Sequence, residues 1–156
     1  MKALPSIVIV VALAAGATRA DAQSGKRPSV AHVKAPEGPS TLSGVYTDEQ
    51  ADRGKDVYAG ACRSCHTPAS HTGATFNRWW RGKRLSDLFG FISTNMPKND
   101  PGSLAPEDAA DVTAYLLKIN AMPAGTAELP PDIDSLKKFR IETKPSRPSP
   151  AKRKKP

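Results

Sequence analysis

The apolar residues of the chain fall into one continuous run near its start and three spaced series in its middle. The run, residues 7–17, is almost wholly apolar, follows a lone Lys2 and precedes the small-x-small triplet Ala20-Asp21-Ala22. It is too short to cross a bilayer, and its flanks are those of a secretory signal cut after residue 22, with an uncleaved N-terminal anchor as the alternative reading. The three series have helical spacing. Ala51, Gly54, Tyr58 and Ala61 share one face of a helix predicted over 48–61, with Thr47 as N-cap and Gln50 completing a capping box. Leu85, Leu88, Phe89 and Ile92 give a second helix over 86–94. Ala109, Val112, Leu116 and Ile119 give a third, opened by Pro106, favoured by Glu107 and Asp108 at its positive end, and stopping near Asn120. No stretch alternates as a sheet strand does. The predicted fold class is therefore all-α, with about three main helices. Gly54 costs a helix interior about 1 kcal/mol relative to alanine, so another backbone is expected to approach there.

Elsewhere the pattern is lost. Residues 23–42 are rich in Pro, Gly, Ser and charge and read as a flexible lead-in. Residues 123–156 hold Pro123, Pro130, Pro131, Pro145, Pro148, Pro150 and Pro156, and are expected to form a Pro/Lys-rich basic tail outside any compact domain. This leaves 43–122 as the domain. Charge divides in the same way. The 156 residues carry a formal net +8, yet Lys/Arg and Asp/Glu balance over 41–122, while 137–156 has nine basic residues against Glu142 alone. The last stretch is expected to be disordered, either merely solvated with no partner or a tether for an anionic surface such as lipid headgroups or an acidic redox partner. A neutral middle segment in an exported chain speaks against nucleic acid as a partner. A helical core this small is marginal without a staple or a large bound group.

The chemistry lies in Cys62-Arg63-Ser64-Cys65-His66, which holds both cysteines of the chain. In an oxidising, exported compartment two lone thiols pair or are consumed. A zinc site lacks a second ligand pair, since only His32 and His71 remain and His32 lies in the lead-in. A thioredoxin-type pair expects a βαβ setting, and a plain disulfide leaves His66 without a role. Covalent haem attachment accounts for every residue: the thiols add to the two vinyl groups, and His66 is placed to ligate the iron. It also supplies the large bound group.

Gly54, Tyr58, the Cys62 to His66 run, Met96-Pro97 and the Val112/Tyr115 pair resemble the small single-haem (class I) cytochromes c, over about 43–122. The resemblance implies a helical fold wrapped around one covalent haem c. It implies that the first and last helices cross at Gly54, with Tyr115 packed into the space the glycine leaves. It also places Trp80, from Trp80-Arg81-Gly82, at the haem edge, with an indole N–H or a guanidinium such as that of Arg81 on a propionate. Which of Asn77, Arg78, Trp79, Trp80 and Arg81 does so stays open. Two features depart from the family pattern: Ala105 replaces a hydroxyl cap before Pro106, and Pro68 has no counterpart.

The sixth iron ligand is sought among Met96, Met122, His71, His32 and Lys98. Met96 follows the second helix, precedes Pro97 and stands at the family's ligand position. Met122 follows the last helix too closely, His71 reads as a surface histidine, and His32 as solvated. Histidine/methionine ligation closes the iron to substrates and suits electron transfer. The expectation is a periplasmic, monomeric one-electron carrier between an exported dehydrogenase or respiratory redox protein and an oxidase or other acceptor. A haem peroxidase or gas sensor is the competing reading, and it requires Met96 not to bind. A third makes the basic tail the working end.

Overall fold

The computed structural model describes residues 38–144. The predicted signal over 1–22, most of the lead-in, and residues 145–156 of the tail lie outside them. In order come a 3-10 turn at Thr41–Ser43, α1 (Asp48–Ala61), a second 3-10 turn at Pro68–His71, α2 (Gly73–Trp80), α3 (Leu85–Asn95), α4 (Pro106–Ile119) and α5 (Ile133–Leu136). The fold is all-α, with no strand among the described residues. The three predicted helices are α1, α3 and α4, and α2 and α5 are additional.

Helix α1 starts where the Thr47 hydroxyl accepts the Gln50 N–H at 3.1 Å. The predicted capping box is only half formed, because the Gln50 side chain is buried and points elsewhere. It donates to the Leu129 carbonyl at 3.0 Å and accepts the Leu129 N–H at 2.7 Å. Two buried backbone groups are thereby satisfied, each of which would cost about 1–3 kcal/mol if left unpaired.

Helices α1 and α4 cross at Gly54, where a β-carbon would overlap the Asp111 carbonyl. The expectation for Tyr115 is corrected. Backbone, not a ring, fills the space at Gly54, and Tyr115 instead lies on Tyr58 with ring centroids 5.3 Å apart. Beside the crossing, Arg53 forks onto Asp111 (Nε–Oδ2 2.9 Å, Nη2–Oδ1 3.1 Å) and reaches Glu128 with Nη1 at 2.9 Å. The Asp111 carboxylate is only 10% exposed, so this bidentate pair outweighs the exposed bonds of Lys118 to Asp48 and Asp52.

The larger correction concerns the chain after Met122. Leu129, Leu136 and Ile141 are buried in the core, with Phe139 packed against it. Residues 123–142 form a strap, and its end runs between two other stretches. On one side Arg140 donates to the Pro39 carbonyl and accepts from Thr41, both at 2.9 Å. On the other, Gly82 donates to Ile141 at 2.8 Å, Ile141 to Lys83 at 2.9 Å, and Leu85 to Phe139 at 3.0 Å. The Thr41 hydroxyl, buried, exchanges hydrogen bonds with the backbone of Glu142. The prolines do not prevent this, because an extended strap needs no continuous ladder at Pro130 or Pro131. Asp132 restarts helical structure by capping α5 through the Ser135 N–H at 2.7 Å. The strap also needs a close backbone approach: a β-carbon at Gly125 would overlap the Gly44 carbonyl, and Gly125 donates to Tyr46 at 2.6 Å. The folded body therefore does not end near Met122, which is itself a buried core residue.

Candidate functional site

Helices α1 to α4 enclose a cavity of about 630 Å³. Tyr58 and Ala61 of α1, Trp79 and Trp80 of α2, Leu88, Phe91 and Ile92 of α3, and Val112 and Leu116 of α4 form its walls. The cysteine motif continues directly from the end of α1. The Cys62 carbonyl accepts the N–H groups of both Cys65 (3.1 Å) and His66 (2.9 Å), which winds the motif into a turn. Cys62, Cys65 and His66 all line the cavity, and both thiols are free. Burial pushes the Cys62 thiol above the ordinary cysteine range, so near neutral pH it stays protonated.

Met96 ends α3, its N–H bonded to the Ile92 carbonyl at 3.2 Å, and it lines the same cavity with Pro97. An imidazole, two thiols and a thioether thus face one apolar, aromatic-walled space. Its size is that of a cofactor site, and this donor set suits haem iron. The residues present therefore fit a haem. Residues 49–116 match the family model described as cytochrome C oxidase, cbb3-type, subunit III, a c-type haem-binding cytochrome domain. The chain carries a cytochrome c domain. No curated protein and no solved structure matches the chain.

The matched part of the cytochrome c domain begins in α1 and ends in α4, so the strap that completes its core lies beyond it. Of the two tryptophans, both line the cavity, and Trp79 is 61% exposed at its rim. Trp80 is half-buried, packs on Phe91 at 5.7 Å and carries the Lys83 ammonium 5.2 Å above its ring. Arg81 departs from the expectation. It lines a separate, smaller cleft with Leu42, Gly82 and Arg140, and not the cytochrome cavity. The left-handed Gly82 follows it, and the chain there turns toward the strap.

His71 is the other correction. It is no surface histidine: it is half-buried, lines the cavity, and its ring centroid lies 4.8 Å from that of His66. Its place depends on Asn120, which follows α4. The Asn120 side chain donates to the carbonyls of His71 and Leu116, both at 2.8 Å, and accepts the Gly73 N–H at 3.1 Å. Burial, together with the neighbouring His66, lowers the His71 pKa below the ordinary histidine value.

Tyr58 stands beside His71, edge to face at 6.1 Å, and its buried hydroxyl has no partner among the described residues. Desolvation by burial, helped by Cys62 and Tyr115, pushes its pKa from 10.0 up to about 12. The folded cytochrome c domain keeps this proton where the unfolded chain releases it. Stability is therefore full below pH 10 and falls as the pH rises through 12. The urea midpoint is expected to decline over this range, and Tyr58→Phe to flatten the decline. A profile identical in the variant would refute the assignment.

Proposed function

We propose that the chain is an exported c-type cytochrome that carries single electrons. In this reading Cys62 and Cys65 would hold one haem c covalently, and His66 and Met96 would ligate its iron. The reading rests on one observation: the cysteine motif from the end of α1 and Met96 from the end of α3 line the same apolar cavity. Bound haem supplies the one-electron couple of its iron. The chain holds and orients it. The turn closed by the Cys62 carbonyl keeps both thiols and His66 together, and Met96-Pro97 bounds the cavity from α3. The apolar walls exclude water, while Trp79 and Phe91 form a partly exposed rim.

Export to the periplasm is supported by the pattern of residues 1–22, and no helix among the described residues is long and apolar enough to cross a membrane. An exported dehydrogenase or respiratory redox protein is the proposed partner. The basic residues of 145–156 are proposed to add attraction to an acidic partner or to lipid headgroups.

Two measurements test the site. Haem should stay with the polypeptide in acid acetone, and its extraction would end the covalent assignment. The ferric protein should show the weak red methionine-to-iron band, and the ferrous protein should refuse carbon monoxide. Met96→Ala should lose the band and bind the gas. Carbon monoxide binding by the unaltered protein would replace this reading with the peroxidase or sensor.

A further inference from the structure

We infer that His71 is a positioning residue for the axial ligand: its imidazole, packed against that of His66, fixes the plane in which the His66 ring stands. The inference rests on the haem reading above.

A histidine ring turns about two side-chain bonds, and the outer torsion is broadly permissive. Something must therefore set its plane. The backbone N–H of His66 is already engaged by Cys62, and its ring makes no hydrogen bond among the described residues. Against it packs the His71 ring, with centroids 4.8 Å apart and planes tilted by 60°. That ring is itself restrained. The 3-10 turn Pro68–His71 carries it, and the Thr67 carbonyl accepts both the N–H and the hydroxyl of Ser70. Asn120 ties the end of this turn to α4 through three hydrogen bonds. The edge of Tyr58 braces the His71 ring at 6.1 Å and 86°. A rigid helix end thus acts through a clamped turn on the ligand's ring. Partners in the outer shell orient metal ligands and tune the metal in this way. The plane of an axial imidazole governs how the iron d orbitals split, so its orientation is readable in the g-values of the ferric protein.

The experiment uses the full chain carrying haem, with electron paramagnetic resonance and the reduction potential as readouts and circular dichroism as the check on folding. His71→Ala is expected to shift the largest g-value and the potential. His71→Phe, which keeps a ring in the contact, should restore both toward the unaltered protein. Asn120→Ala leaves both histidines in place but loosens the turn, and should shift the g-values in the same direction as His71→Ala. It decides the matter if His71→Ala does not fold. Unshifted g-values in the folded His71→Ala or Asn120→Ala protein would overturn the inference. So would His71→Phe shifting as far as His71→Ala, since a ring nitrogen would then be the active element. Failure of the haem reading itself looks different: the unaltered protein would show no haem absorbance at all.

Discussion

A chain ended after Ser135 is expected to lose its cooperative fold, while one ended after Lys144 keeps it. The shorter chain lacks Leu136 and Ile141, both completely buried, and Phe139 packed against the core. Truncating a buried leucine or isoleucine to alanine costs about 2–5 kcal/mol. Two such losses reach the scale of a whole domain's stability, about 5–15 kcal/mol. The backbone bonds to Pro39, Thr41, Gly82, Lys83 and Leu85 go as well, which frees the loop before α3 and the residues before α1. Urea unfolding followed by far-ultraviolet circular dichroism separates the two chains, and equal midpoints would show that the strap adds nothing. The outcome reverses what a disordered tail from Lys137 onward implies, namely that folding survives its removal.

The second large effect is expected at Gly54. Alanine there would gain about 1 kcal/mol of helix propensity if space allowed. Space does not allow it, because the first atom a β-carbon meets is the backbone carbonyl of Asp111, with its carbon and the Val112 nitrogen behind. A backbone cannot swing aside as a flexible side chain does, so α1 and α4 must separate. Gly54→Leu should cost about 3 kcal/mol, the upper end of overpacking effects, or more. Gly54→Ala should lose less but still melt lower than the unaltered protein. The separation would also pull Arg53 off Asp111 and leave a carboxylate that is only 10% exposed without its fork. An unchanged melting temperature in Gly54→Leu would remove the crossing from the account of stability.

Helices α1, α3 and α4 were legible because each writes its buried stripe at helical spacing and two of them open with a start signal, Thr47 or Pro106. The glycine that lets α1 and α4 touch was legible for the same reason, as a costly residue inside a good helix. Cys62, Cys65 and His66 stand out by spacing alone, and Met96 by its place before Pro97. What stayed hidden depends on partners far along the chain. Gln50 looks like half of a capping box, and only the distant Leu129 backbone draws it away. Leu129, Leu136, Phe139 and Ile141 follow no period, because an irregular strap buries residues where its neighbours leave room. Their apolar character among lysines was the available signal, masked by the prolines. Helix α2 is short and buries only Phe76, so it has no stripe to read. His71 reads as polar loop, and it takes Asn120, 49 residues later, to turn it inward.

Folding the strap also gives its cations an address. Three backbone hydrogen bonds lay Lys137, Lys138 and Arg140 alongside Arg81, Lys83 and Arg84. Two of these cations are already paired there, Lys137 with Asp134 at 2.6 Å and Arg140 with Glu142 at 4.0 Å. Within residues 38–144 these basic residues are then gathered on one side. That side borders the cavity, where Lys83 lies over Trp80. An approaching charged surface exerts a torque on such a body and turns it before contact. The turning works only within the screening distance, roughly 8 Å at physiological ionic strength. A floating tail would draw the protein toward a surface without choosing which side arrives first; a fixed ridge gives the molecule a front.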